Sequence, residues 1–176
     1  MFFLALRLEF RLLDSDPDLD SFHCENGTIQ TMVQSSYFTM VRHQGLAYAV
    51  IRDGDTVGYC MIKVGAVEYK DPEAYDESDN QYGAIFIKYI VVDKPVRGQK
   101  IGRTMLNTLI QAAEQFSKQL PVRLLVIDAL TEYCDWYKTF GFQFLMEKNE
   151  RSNTNTMFID FINREQLETY LKLYGA

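Results

Sequence analysis

Arg97, Gly98, Gln99, Lys100, Ile101, Gly102 and Arg103 put three cations and two glycines into seven consecutive positions, directly after the apolar run Tyr89-Ile90-Val91-Val92. Residues of these types in this order suit an anion. Glycines let a turn bring backbone N–H groups inward without interference from a Cβ, and the helix that follows adds unpaired amides and the positive end of its dipole. The spacing fits neither a Walker A loop, which needs Lys and Ser or Thr after its second glycine, nor a Gly-x-Gly-x-x-Gly dinucleotide turn. A strand-to-helix connection with two glycines and surface cations is also ordinary architecture, so the loop alone leaves both readings open.

Further along, Trp136-Tyr137-Lys138-Thr139-Phe140-Gly141-Phe142 sets a phenol among aromatic neighbours. A phenol with an ordinary pKa near ~10 is protonated at neutral pH and can donate a proton as a general acid. Packing a helix against a sheet is its alternative role, and Trp136 and Phe140 read as core or pocket wall.

Periodicity gives the elements that must position these groups. Leu6, Leu8, Phe10 and Leu12 alternate with Arg7, Glu9 and Arg11, so 4–12 reads as a half-buried strand. Ile29, Met32, Val33, Ser36, Tyr37 and Met40 recur at helical spacing, which predicts one helix over 28–43. Strands at 46–52 and 56–67 flank Asp53-Gly54-Asp55, a hairpin turn, and the acidic stretch 69–82 with Pro72 forms the longest loop. The run that starts at Tyr82 or Ala84 and ends at Val92 is almost continuously apolar apart from Lys88, as a strand buried on both faces near the middle of a sheet would be. Ile101, Met105, Leu109, Ala112, Ala113 and Phe116 form one stripe of a helix over 99–118. A strand at 122–127, parallel to its predecessor, is followed by a short helix at 131–140 ended by Gly141, and by strands at 142–146 and 156–162. The last element is an amphipathic helix over 164–174 with Leu167, Tyr170, Leu171 and Tyr174 on one side.

Composition narrows the class. A chain of 176 residues that is 47% hydrophobic and 14% aromatic builds one well-cored domain over 1–176. No apolar run approaches the ~18 to 20 residues that span a bilayer, and the opening segment lacks a basic start and is interrupted by Arg7, Glu9 and Arg11. A cytoplasmic protein without a leader is expected. Cys24, Cys60 and Cys134 are odd in number and far apart, which argues against a disulfide framework and a zinc module. His23 beside Cys24 has only His43 as a second histidine, so no metal is expected. The net charge of −6 argues against broad nucleic-acid binding. Two acidic groups, Asp14, Asp16, Asp18 and Asp20, then Glu68, Asp71, Glu73, Asp76, Glu77 and Asp79, read as solvated loops; the alternative for the second is a rim attracting a cationic amine.

The 97–102 segment resembles the acetyl-CoA pyrophosphate loop of the GNAT acyltransferase superfamily. Arg97 and Gly102 match its ends, Gly98 and Ile101 are common members, and Lys100 stands where a central glycine is usual. A residue other than glycine there must keep φ negative or accept strain. The 136–142 run resembles the superfamily's second motif, and the order of elements over 6–162 is that of a GNAT domain. The resemblance implies an α/β fold with a mixed central sheet of six or seven strands, helices on both faces, and a V-shaped splay between the two central parallel strands.

It also implies acetyl-CoA as co-substrate and transfer of its acetyl group to a primary amine by direct attack. The backbone of Ile90, Val91 and Val92 would meet the pantetheine and thioester, and the amides from Gly98 through Gln99, Lys100, Ile101 and Gly102 to Arg103 the pyrophosphate. Arg97 would brace the loop or touch phosphate, and Tyr137 would be the general acid. Relatives often carry a Glu near the positions of Phe86 or Lys88, which this chain lacks; Glu68, a water relay or an amine that arrives neutral would replace it. The Asn that many members place before the Tyr helix has no match at Leu130 and Thr131.

The acceptor that the resemblance implies is a small-molecule or protein amine. Phe22-His23-Cys24, Ile127-Asp128-Ala129-Leu130 and Met157-Phe158-Ile159-Asp160-Phe161 resemble a prokaryotic GNAT group that includes acetyltransferase toxins, which makes charged tRNA an alternative acceptor. A non-catalytic acyl-CoA-binding module is a further alternative, kept open by Lys100 and the missing carboxylate. A homodimer through the late strands or the last helix is a matching arrangement of partners.

Overall fold

The computed structural model describes residues 7–71, 80–146 and 149–174. The opening of the expected first strand and most of the acidic loop, including Glu73, Asp76, Glu77 and Asp79, lie outside them. Seven strands form one sheet in the order β1-β2-β3-β4-β5-β7-β6: β1 Glu9–Leu12, β2 Leu46–Arg52, β3 Asp55–Glu68, β4 Gln81–Val92, β5 Leu124–Leu130, β6 Gln143–Phe144 and β7 Thr154–Asp160. The helices are α1 Gly27–Gln34, α2 Ser36–Val41, α3 Ile101–Ser117, α4 Cys134–Lys138 and α5 Arg164–Tyr174. No helix among the described residues is long and apolar enough to cross a membrane.

The β2–β3 hairpin forms where the Asp-Gly pair predicts it. Asp53 and Gly54 both take positive φ, 54° and 94°, and the turn passes directly into the Arg52–Asp55 pair. Positive φ at both central residues matches the right-handed twist of the flanking strands.

One helix was expected over 28–43, and two are present. Asn26 caps the first by accepting the Ile29 N–H at 3.0 Å. At Ser35 the backbone leaves the helical region (φ −90°, ψ 9°), and the hydroxyls of Ser35 and Ser36 reach back to carbonyls of the preceding turn, Ser36 Oγ donating to Met32 O at 2.8 Å. Paired serines compete with the helical ladder in this way.

α3 covers one face of the sheet, burying Ile101, Met105, Leu106, Leu109 and Ala113 against Ile85, Ile87, Leu125, Ile127 and Met157. α1 and the segment before it cover part of the other, with Val33 and Phe22 packed on Ala47, Ala49, Tyr59, Met61, Tyr89 and Val91. The stripe at 3.6-residue spacing and the period-two strands generate this layering. α5 behaves differently: Tyr170, Leu171 and Leu173 are 60%, 42% and 69% exposed, so its apolar side does not cover the sheet.

Asp71 departs from the solvated loop expected of it. With Asp160 it brackets the guanidinium of Arg123, which donates from Nε and Nη2 to Asp160 at 2.9 and 2.8 Å and from Nη1 to Asp71. The rings of Tyr69 and Tyr82 lie against the same guanidinium, 5.6 and 4.7 Å from its carbon. A buried charge cluster satisfied on this many sides fixes geometry more than it adds stability. Here it ties the end of β3 to the start of β5 and the end of β7.

β4 and β5 run parallel from the pair Ala84–Leu124 to the pair Ile87–Ile127 and then part. β4 stays on β3 as far as Val92–Gly58, and β5 stays on β7 as far as Leu130–Thr154. The parting coincides with a β-bulge, because Met61 pairs with Tyr89 and Ile62 with Ile87, leaving Lys88 as the extra residue. The bulge also inverts the faces. Ile85 and Ile87 point to the α3 side, yet so do Ile90 and Val92, while Tyr89 and Val91 join the core under α1. An uninterrupted period of two would have kept 85, 87, 89 and 91 together.

At its start β4 runs close to the chain entering β5. A Cβ built on Gly83 would lie 2.1 Å from the backbone oxygen of Pro121, a contact no side-chain rotation relieves. Gly83→Ala should therefore destabilise the fold by at least about 2 kcal/mol, read as a lower urea midpoint at constant m; an unchanged midpoint would contradict this packing.

Candidate active site

The parted strands open a cleft of about 660 Å³, lined by Ile90, Val91, Val92, Arg97, Gly98, Lys100, Ile101, Gly102, Arg103 and Tyr137. These are the residues singled out in the sequence except Gln99, which does not line it. Its side-chain oxygen instead accepts from Arg52 Nη1 at 2.7 Å, tying the loop to the β2–β3 hairpin. A cavity of this size falls in the range that small-molecule ligands occupy.

The floor is the start of α3. Its first intrahelical bond runs from Thr104 N–H to Lys100 O at 3.0 Å, so the amides of Ile101, Gly102 and Arg103 have no partner within the helix, and among the described residues no side chain caps it. Gly98 takes φ 81°, which glycine adopts without cost, and Lys100 takes φ 63° as the residue before the helix. Of the two outcomes open to a non-glycine at that position, the chain accepts the strain. At Gly102 an added Cβ would make only an ordinary van der Waals contact, 3.4 Å from Val92 Cγ2 at the end of β4.

The cations are differently employed. Arg97 braces the loop, donating from Nη1 to Glu25 Oε2 at 2.7 Å and from Nε to Val92 O at 3.3 Å. Lys94 reaches the other oxygen of Glu25 at 2.7 Å. The Lys94 ammonium, and after it the Arg97 guanidinium, hold the Glu25 carboxyl below the usual carboxylate range. Arg103 lies over the Phe140 ring, 4.8 Å from its centre. Asp93 accepts the His23 N–H at 2.8 Å, so the segment leading into α1 is laced to the turn after β4.

Tyr137 forms the opposite wall. It is 6% exposed and sits edge-on between Trp136 and Phe142, with centroids at 4.9 and 5.6 Å. Among the described residues no hydrogen bond holds its hydroxyl, and no fully buried side-chain oxygen lacks a partner; the phenol oxygen is therefore open to the cleft. Burial, with Cys134 and Tyr133 nearby, pushes its pKa further above the ordinary phenol value. The group stays protonated through the neutral range with no internal acceptor competing for its proton.

Glu68 does not reach this site. It pairs with Gln81, six residues before the parting at Ile87 and so roughly 20 Å away along the strand. The residues that sequence reading missed act at a distance in sequence. Glu25 carries no local signal of its partners, which lie beyond sixty positions away. Asn155, 7% exposed, donates to Thr131 Oγ1 at 2.9 Å and accepts the Asn149 N–H at 2.7 Å, which fixes the turn from β5 into α4. The Lys88 bulge did leave a trace: the inward residues Ile85, Ile87, Ile90 and Val92 step by two, three and two, with a lysine in the wider step.

The model of the acetyltransferase (GNAT) family matches residues 10–142, and the chain belongs to this family. Over 92 residues it is 33% identical to a probable spermine N(1)-acetyltransferase of Bacillus subtilis subsp. natto (strain BEST195), covering 52% of this chain and 55% of that protein. The spermine/spermidine N(1)-acetyltransferase of Bacillus subtilis (strain 168) is 32% identical over the same length. The chain thus spans about half the length of the curated relatives it matches. Among solved structures, AtaT complexed with acetyl-methionyl-tRNAfMet superposes with a TM-score of 0.74 at 20% identity, over 92% of this chain and 99% of that one. AtaTR bound with AcCoA gives 0.71 at 20% identity, over 92% and 98%. These likenesses establish the GNAT fold.

The left-handed conformation at Lys100 yields a test of the loop. Lys100→Gly should stabilise the protein by about 1 kcal/mol by removing the Cβ strain, raising Tm by about 2–4 °C in thermal unfolding. A Tm that falls would mean that Lys100 is not held in this conformation.

Proposed function

We propose that the protein transfers an acetyl group from acetyl-CoA to a primary amine. The observation that carries this is the cleft itself, where one edge of a parted strand, the bare amides of a helix start and a protonated phenol face a single space. Family membership supports acetyl-CoA as the donor. In this reading the amides of Gly98 and Ile101 to Arg103 hold the pyrophosphate, with the helix dipole adding to the attraction. Beyond Ile87 the side of β4 that faced β5 has no strand partner among the described residues, so main-chain groups among Ile90, Val91 and Val92 are available to the pantetheine arm and the thioester carbonyl.

The neutral amine nitrogen attacks the carbonyl carbon, the C–S bond breaks, the thiolate takes the Tyr137 proton, and the proton shed by the nitrogen passes through water to restore the phenol. Arg97 supports the loop through Glu25 and Val92 and takes no part in the bond changes. The acceptor is an amine of small molecule or protein. The curated relatives named for spermine and spermidine favour a polyamine, and the likeness to AtaT keeps the amino group of a charged tRNA as the second reading.

Two measurements on one sample test this. Acetyl-CoA titrated calorimetrically should bind, and thiol release should follow on adding the right amine from a panel of polyamines, amino-acid esters and methionyl-tRNA. Binding without release on any amine would instead support a non-catalytic acyl-CoA-binding module. Tyr137→Phe should lower turnover about 100-fold or more while acetyl-CoA affinity stays within twofold; unchanged turnover would remove the acid role.

A further inference from the structure

The vertex of the cleft has a second feature, on the sheet face away from α3. The last parallel pair is Ile87–Ile127, so the next residue of β5, Asp128, stands at the point where the strands part. Ile127 and Ala129 on either side of it are buried in the α3-side core, and strand alternation therefore turns Asp128 to the opposite face, with Leu124 and Val126. The side chain is exposed. Across on β7, its register partner Thr156 donates from Oγ1 to Asp128 Oδ1 at 2.7 Å.

A carboxylate placed like this is unusual for a merely solvated one. It is carried by a strand hydrogen-bonded to β7 along its length, and a neutral hydroxyl fixes its orientation. Among the described residues no cation pairs with it, and Oδ2 carries no hydrogen bond. The donor arm, on the reading given above, enters from the end of β4 and the start of α3, so an acceptor approaches the thioester from the other side of the vertex.

We propose that Asp128 is the specificity-determining residue for the acceptor, its free carboxylate oxygen binding a cationic amine at the vertex, where the amine gives up one proton to water before its nitrogen attacks. This rests on the acetyltransferase reading and supplies what β4 lacks, a carboxylate at the junction of donor and acceptor. The charge selects ammonium-bearing acceptors, and the Thr156 hydroxyl holds the carboxylate in the orientation that receives them. A hydrogen bond to a charged partner in such a position changes affinity by about 10- to 100-fold.

The test compares wild type with Asp128→Asn, which keeps the volume and an oxygen to accept from Thr156 but removes the charge. The acceptor is whichever of spermidine, lysine methyl ester or methionyl-tRNA gives the fastest thiol release with wild type. The expected result is a KM for that amine raised about 10-fold or more, with kcat within about threefold, acetyl-CoA affinity unchanged, and Asp128→Glu recovering part of the loss. A variant that matches wild type in acceptor KM overturns this inference alone. Wild type that binds acetyl-CoA yet transfers to no amine overturns it together with the transferase reading.

Discussion

One extra residue in β4 governs the rest of the molecule. With Lys88 left out of the ladder, β4 bends and turns its faces over, and the strand that ran beside β5 leaves it after Ile87. Every backbone polar group in a buried sheet normally finds a partner. Separating two central strands while each keeps its outer neighbour therefore creates a slot whose walls are main chain, inside a fold otherwise closed by ordinary packing. The parallel pairing before the parting, the long β3–β4 ladder and the β5–β7 ladder hold the slot open.

The cleft is then finished by groups that arrive from different directions. α3 begins beside the end of β4, with Gly102 against Val92. Glu25 reaches from the segment before α1 to gather Lys94 and Arg97. Exposed ion pairs of this kind add little stability; their consequence is positional, because they join the segment leading into α1 to the loop after β4. α4 supplies Tyr137 from the far wall, and its approach is set by the turn that Asn155 and Thr131 secure. Site and fold are thus coupled through a few polar contacts laid over a continuous apolar core.

Much of this was legible in the sequence because it is local. The loop from Arg97 to Arg103, the stripe of α3 and the aromatic run around Tyr137 are each local signals and fall on the observed elements, although Ala112 and Phe116 of the expected stripe are exposed and Leu106 is buried with the rest. What escaped depends on register or on distant pairing. Glu68 looked available as a base until its pairing with Gln81 placed it at the wrong end of β4. Asp71, in a stretch that reads as a solvated loop, is drawn in by Arg123 across 52 positions. The break between α1 and α2 turns on serine hydroxyls that compete with the backbone, which apolar spacing does not register. Lys100 was flagged by its departure from glycine, and the structure resolves it as a left-handed residue.

The central claim is that the main chain at the parting of β4 and the start of α3 holds the acyl donor. Backbone amide resonances followed by NMR during an acetyl-CoA titration test it most directly. The account predicts shifts and slowed hydrogen exchange at Ile90, Val91 and Val92, at Gly98 and at Ile101, Gly102 and Arg103, with the β2–β3 hairpin turn at Asp53 and Gly54 unchanged. Saturable binding that perturbs other residues and leaves these amides untouched would contradict it.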